Sequence, residues 1–404
     1  MSAKIIRTRL SVMMFIEFFI WGAWAVTLGT YLGKTLQFEG TQIGLIYGTM
    51  AIAAIVSPLF VGFVADRYFA SQRVFSALHF AGAIFLFLAS RATSFGGIYT
   101  LLLVYSLCYA PTLAIANGIG FRHLEDPDRQ FPLIRVLGTI GWIVAGLVVG
   151  FLGVEDRNMP LQIAAGMSLL LSAYGFLLPH TPPKPSGGPQ TVARMLGLDA
   201  FFLMRNRSFL VLFVASVLIS IPLAFYYNFT NLFLNEMGMV NAAGKQTLGQ
   251  QSEVLFMLLM PLLVRRMGIK WMVAVGMLAW AVRYVFFAFG DVSPALVWML
   301  YAGIVLHGIC YDFFFVAGQI YANRMAPESL KNSVQGIMTL GTYGVGMFVG
   351  SLVSGRIVSH YTAAAGARDW DTIWLIPASM AAVVLVLFVF TFKEDRRRAA
   401  AEAP

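Results

Sequence analysis

Five ionisable side chains lie deep inside apolar runs of this chain: Glu17, Arg135, Glu253, Arg283 and Asp312. Such a group costs several kcal/mol in lipid unless it faces a wet cavity or a partner, so each is a candidate for handling a ligand or a proton. Arg135, Thr139 and Trp142 fall at i, i+4 and i+7, on one helical stripe. A guanidinium and a hydroxyl that hydrogen-bond, beside an indole that stacks, suit a polar ring-bearing ligand; the alternative is an arginine that snorkels to headgroups. Gln250 and Glu253 share a face at i, i+3. Their amide and carboxylate can accept sugar hydroxyls, or the carboxylate can carry a proton that binding displaces; an ion pair with Arg283 is the other reading. His307, Tyr311 and Phe314 or Phe315 form a further stripe, with Asp312 on the next one. A carboxylate at that depth can load a proton in one state and release it in another, or close the cytoplasmic side as a salt bridge between halves. Glu17 stands with Trp21 and Trp24 at i, i+4, i+7 as a third proton-coupling candidate, and His79 reads as a helix-packing histidine. Pro222, followed by Tyr226, Tyr227, Asn228, Thr230 and Asn231, resembles the broken-helix sites of transporters.

The elements that must position these residues follow from composition. Of 404 residues, 59% are hydrophobic and 12% charged, about half the charge of a typical soluble domain. That excludes a water-soluble fold and leaves a bilayer as the solvent. A spanning helix takes roughly 20 apolar residues, and charged or Gly/Pro-bearing breaks divide the chain into twelve spans. They are placed near 9–33, 41–65, 72–91, 96–119, 132–153, 160–178, 207–234, 247–264, 269–289, 295–322, 333–358 and 372–392. The first run is too long for a signal-peptide core and reads as an uncleaved span. The expected architecture is an all-α integral membrane protein of twelve transmembrane helices in two pseudo-symmetric six-helix halves. Residues 1–178 form the N-terminal half, 179–206 a Pro/Gly-rich cytoplasmic linker, 207–398 the C-terminal half and 399–404 a cytoplasmic tail.

Charge and repetition support this layout. With the N-terminus inside, most of the 28 Lys and Arg collect on the cytoplasmic side. Only Lys34, Arg91, Arg157, Lys245, Arg356 and Arg368 fall outside, a bias of the kind the positive-inside rule requires. The net charge of +9 is thereby explained without nucleic acid, and both termini are expected in the cytoplasm. Leu137-Gly138-Thr139-Ile140-Gly141 in span 5 recurs as Leu340-Gly341-Thr342-Tyr343-Gly344 in span 11. Cys108-Tyr109 in span 4 recurs as Cys310-Tyr311 in span 10, at nearly the same offset. Parallel six-span repeats build one large class of secondary transporters, with the substrate held near the midplane between halves.

Other chemistries lack their signatures. No GxxxxGK[ST] loop suggests an ATP-driven pump, no His/Cys/Asp cluster has metal spacing, and no Ser/His/Asp order stands out. Neither an enzyme nor a cofactor is expected, so the driving force would be an ion gradient or the gradient of the solute itself.

Gly62-Phe63-Val64-Ala65-Asp66-Arg67 with Arg73, between spans 2 and 3, resembles the cytoplasmic latch signature of the major facilitator superfamily. Trp21-Gly22-Ala23-Trp24, Pro111-Thr112-Leu113 with Asn117, and Phe131-Pro132-Leu133-Ile134-Arg135 look more narrowly like the bacterial nucleoside–proton symporter family. Leu196-Gly197-Leu198-Asp199-Ala200-Phe201, Gln250 with Ser252-Glu253, Asp312-Phe313-Phe314 and Gln335-Gly336 extend the similarity nearly end to end. The resemblance implies the major facilitator fold, nucleoside uptake driven by protons, and a bacterial inner-membrane location. It further implies that Arg135, Thr139, Trp142, Gln250, Glu253 and Tyr311 line the nucleoside cavity, with Asp312 a coupling candidate; Asn228 and His307 are substrate-binding candidates by their own place in the polar stripes. Three places depart from the pattern. Ala224 and Tyr227 stand where cavity-facing amides are expected, His307 stands for a tyrosine, and Glu17 stands for a neutral amide. A transporter of another small polar solute such as a sugar, or a non-transporting receptor of the same fold, is the alternative.

Overall fold

A computed structural model describes residues 2–60, 68–183, 191–192, 196, 198–327 and 330–393. Among them, eleven helical runs are long and apolar enough to cross a bilayer. One run, Ala242–Phe289, is 48 residues long and is two spans joined at Gly268, whose backbone leaves the helical region (φ 73°, ψ 163°). The spans are α1 Ala3–Thr35, α2 Gly40–Phe60, α3 Ser71–Arg91, α4 Phe95–His123, α5 Arg129–Leu152 and α6 Met159–Leu177. They continue as α7 Arg207–Glu236, α8 and α9 on either side of Gly268, α10 Val297–Met325, α11 Ser333–His360 and α12 Trp370–Thr391. In hydrocarbon every backbone polar group must be satisfied within the chain, which is why apolar runs of this length fold as helices. Their outer faces are oily: Phe151 and Phe390 are 87% and 80% exposed, tolerable only against lipid. Where helices begin in water, side chains cap them. Ser94 accepts from the Gly97 N–H, Asp126 from Arg129 and Asp369 from Thr372.

Packing divides the chain into two compact units. The first holds Met1–Met195, Tyr226–Thr247 and Ser351–Ser359; the second holds Leu196–Phe225, Leu248–Gly350 and His360–Pro404. This partition differs from the sequence repeat. The C-terminal ends of α7 and α11 and the start of α8 pack with the first six helices. In the first unit α5 lies hard against α1, where a methyl group on Gly141 would meet the Phe15 carbonyl oxygen at 2.1 Å. Only glycine permits that approach. In the second unit the Tyr284 hydroxyl of α9 donates to the carbonyl of Pro222 in α7.

Two expectations change here. Helix α7 runs unbroken through Pro222, so the proline does not open a broken-helix site. Besides α1, which turns at Val26–Thr27, the interrupted span among the described residues is α10. It passes through a turn at Leu306 between Val297–Val305 and His307–Tyr311, then widens into a π-helical turn at Asp312–Val316. No proline marks this break; contacts from α8 and α9 hold it open. The expected latch residues Asp66 and Arg67 lie outside the described residues. Arg73 is exposed in the first turn of α3.

Candidate functional site

In the first unit, Arg135, Thr139 and Trp142 occupy one stripe of α5, all half-buried. The Arg135 guanidinium carbon lies 3.9 Å from the centre of the Phe18 ring, a cation–π contact that fixes its height on α1. Trp142 meets Trp21 edge-on with ring centres 5.4 Å apart, and Trp21 meets Tyr109 of α4 in the same way at 6.1 Å. A cation, a hydroxyl and a ring wall therefore share one face, as their spacing required. A cavity of about 460 Å³ lies elsewhere, between the N-terminal part of α1 and the start of α5, lined by Lys4, Arg7, Ser11, Phe15, Gln130 and Leu137 among others and not by Arg135, Thr139 or Trp142.

Behind that wall sits Glu17, fully buried. His79 of α3 approaches it with Nε2 2.7 Å from Oε2, and the Thr112 hydroxyl of α4 donates to Oε1 at 2.6 Å. His79 is thus more than the packing histidine expected from sequence: it is the partner of a buried carboxylate.

In the second unit the break in α10 does the positioning. The Ser252 hydroxyl of α8 donates to the Val305 carbonyl at 2.6 Å and accepts the Gly308 N–H at 3.0 Å, bridging the break. Arg283 of α9 is fully buried and donates to the Gly303 and Ile304 carbonyls at 2.8 and 3.5 Å. These carbonyls lie in the last turn before the break at Leu306. So Arg283, a ligand candidate by its depth alone, serves the fold.

The break carries His307 onto α8, where its Nε2 lies 3.9 Å from Glu253 Oε2. The His307 ring stacks at 6.0 Å on Tyr311, and the Tyr311 hydroxyl lies 2.5 Å from that of Tyr343 in α11. Gln250 and Glu253, half-buried on one face of α8, continue this strip. Asp312 opens the π-turn, a local widening frequent at functional positions. Its side chain is fully buried and neither carboxylate oxygen has a hydrogen-bond partner among the described residues. The expected alternative of a static salt bridge at Asp312 therefore finds no partner among them.

Gly308 is where this arrangement is most easily broken. A methyl group there would fall 2.5 Å from the Ser252 carbonyl carbon and 2.6 Å from the Glu253 nitrogen, both backbone atoms. Gly308→Ala is expected to cost about 1–3 kcal/mol of overpacking and to push Glu253 away from His307. The check is a lowered melting temperature in detergent; an unchanged melting curve would refute the close approach.

Asn228, expected as a substrate-binding residue, is engaged in helix packing. Its amide donates to Ser351 and Ser354 of α11 at 3.2 and 3.3 Å, in the packing of the first unit. Asn231 belongs to a cluster around Glu155, a residue of the α5–α6 connection that sequence reasoning passed over because it lies outside the apolar runs. Glu155 accepts from Asn231 and Asn235 of α7 at 2.9 and 2.8 Å and from the Ala243 N–H at 3.1 Å. Asn231 also donates to Gln246 and accepts from Thr30. The i, i+4 spacing of Asn231 and Asn235 was the available signal. Tyr343 was likewise missed, although it lies in the repeated Leu-Gly-Thr string.

The nucleoside H+ symporter family matches residues 4–397 of the chain. The chain belongs to that family. A putative nucleoside transporter of Escherichia coli, YegT, is 44% identical over 400 residues, covering 96% of this chain and 94% of the relative. The xanthosine permease of the same bacterium is 35% identical, covering 96% of each chain. A crystal structure of the nucleoside transporter NupG superposes with a TM-score of 0.89 at 34% identity, covering 96% of this chain and all of that one. As a member of the nucleoside H+ symporter family, the chain is a multi-pass membrane transporter of the major facilitator fold that imports nucleosides with protons.

Proposed function

We propose that Arg135, Thr139 and Trp142 of the first unit and Gln250, Glu253, His307 and Tyr311 of the second contact the transported nucleoside, and that Asp312 carries the coupling proton. The observation that supports this most strongly is the carboxyl of Asp312, buried with neither oxygen partnered among the described residues, in the π-turn that follows Tyr311. A charge held there without a partner costs several kcal/mol, so the protonated form suits this conformation, and release requires another in which water or a cation reaches it. Proton loading and a change of conformation are then one event, which is what symport demands. Arg135 and Thr139 supply hydrogen bonds to the ribose or base, and Trp142 with Trp21 supplies a stacking wall for the base.

The protein works in the inner membrane with both termini in the cytoplasm, as the distribution of Lys and Arg supports. It draws on the proton gradient without a cofactor and without catalysis on its cargo. The experiment is counterflow of radiolabelled uridine in proteoliposomes, with and without an imposed pH gradient. Saturable counterflow, and accumulation only when the outside is acidic, is expected. Counterflow with sugars and none with any nucleoside would overturn the substrate, and accumulation indifferent to pH would overturn the coupling.

A further inference from the structure

The Glu17–His79 contact contains a hydrogen-bond puzzle that fixes its proton count. His79 Nδ1 lies 3.1 Å from the Ser168 hydroxyl oxygen of α6, and that same oxygen lies 3.0 Å from the His79 backbone carbonyl. Ser168 owns a single hydroxyl hydrogen. If it goes to the carbonyl, Ser168 accepts from Nδ1–H, and a neutral imidazole then presents a bare Nε2 to Glu17. Two lone pairs cannot face each other at 2.7 Å, so an additional proton must lie between Nε2 and Oε2. If the hydroxyl turns to Nδ1 instead, Nε2 carries the hydrogen and donates it to an ionised Glu17, and the additional proton is gone. Thr112 has the same freedom on the other oxygen, with Glu17 Oε1 and the Tyr109 carbonyl each at 2.6 Å.

We propose that the Glu17–His79 pair is a proton-binding site within the first unit, separate from Asp312, which takes one proton from water and returns it to water, the Ser168 and Thr112 hydroxyls rotating to pair the lone pairs of each form. Loaded, the pair is neutral as a whole: a carboxylic acid with a neutral imidazole, or a carboxylate with an imidazolium. Unloaded, it carries one negative charge, held by the His79 Nε2–H and the Thr112 O–H. The re-pairing itself moves no heavy atom, and the proton is exchanged when water gains access to the pair, which is closed to solvent in this conformation. Lower pH favours the loaded form.

The surroundings link this proton to the proposed ligand face. The Tyr109 hydroxyl donates to the Glu17 backbone carbonyl at 2.7 Å, and Tyr109 packs on Trp21, which packs on Trp142. The other titratable groups facing Glu17 are Tyr105 and Tyr109 of α4, and Arg135 of α5 lies within electrostatic reach of Tyr109. From α6 the described partner of the pair is the Ser168 hydroxyl, which is uncharged. A change of one unit of charge behind the aromatic wall alters the field at the Arg135 stripe. Use of this proton in transport rests on the symport reading above; the binding of the proton does not.

The test is a proton count on the purified protein in detergent, without substrate. Potentiometric titration from alkaline to acid pH is expected to show Glu17→Gln taking up one proton fewer than the wild type. Asp312→Asn should lose a different one, so that Glu17→Gln with Asp312→Asn loses two. Equal uptake by the wild type and Glu17→Gln would overturn the site. Should Glu17→Gln not give monodisperse protein, 15N-histidine NMR of the wild type decides. One of the five imidazoles must carry Nδ1–H at low pH and only Nε2–H at high pH, and five freely titrating rings would refute the proposal. Uridine counterflow of the same proteins is read separately. Failure of the wild type to transport uridine would retire the nucleoside assignment and leave the proton count standing.

Discussion

In proteoliposomes, Asp312→Asn is expected to exchange labelled uridine across the membrane while failing to accumulate it against a gradient. The amide keeps the size and the neutral state of the protonated carboxyl, so the conformation described here is retained and the expected change in stability is small. What disappears is the ability to become charged. On the proposed role, an ionised Asp312 is disfavoured in its buried position, where neither oxygen has a partner among the described residues, so the proton would bias the empty carrier between conformations. A ligand shifts an equilibrium only by its differential affinity for the two states, and the asparagine variant has no such differential for the proton. A tenfold accumulation corresponds to about 1.4 kcal/mol, and that whole contribution should vanish. Uphill uptake by this variant equal to that of the wild type would remove Asp312 from the coupling step and leave Glu253 as the nearest candidate.

Arg135→Ala should weaken uridine uptake by about 100-fold, read as a raised half-saturation concentration in counterflow. Hydrogen bonds from a charged donor contribute about 1.5–3 kcal/mol each, so loss of one or two accounts for a change of that order. Arg135→Lys should restore little of the loss, since a point charge does not reproduce the planar fork. The side chain is half-buried and stacked on Phe18, so its removal should leave the melting temperature within a few degrees of the wild type. A variant that folds and transports with unchanged half-saturation would show that Arg135 only anchors the helix to headgroups.

The two residues also show what kind of information each level of structure carries. That Arg135, Thr139 and Trp142 share a face was legible because they sit on one helix, and a helix converts sequence spacing into geometry without reference to anything else. The same is true of Gln250 with Glu253 and of Tyr311 with His307. The twelve spans were legible for a related reason: in lipid each apolar run must satisfy its own backbone, so its length and flanking charges define it.

Pairings between helices were not legible in this way. Glu17 and His79 stand on α1 and α3, and Ser168, whose hydroxyl turns with their proton count, stands on α6; no spacing rule joins three separate helices. Sequence alone made one a lone carboxylate and another a packing residue. The prominence of Pro222 pointed to a break in α7, yet a proline inside a well-packed helix is absorbed. The break instead fell in α10, where Ser252 and Arg283 hydrogen-bond to backbone groups beside it. Glu155 escaped notice because it lies in a connection, and its importance comes from the asparagines that fold onto it. The amino-acid order therefore determined which stretches become helices, which face of each is polar, and the family to which the chain belongs. Tertiary packing decided which polar groups partner one another, because a buried hydrogen bond depends on ångström distances between helices that local propensity does not set.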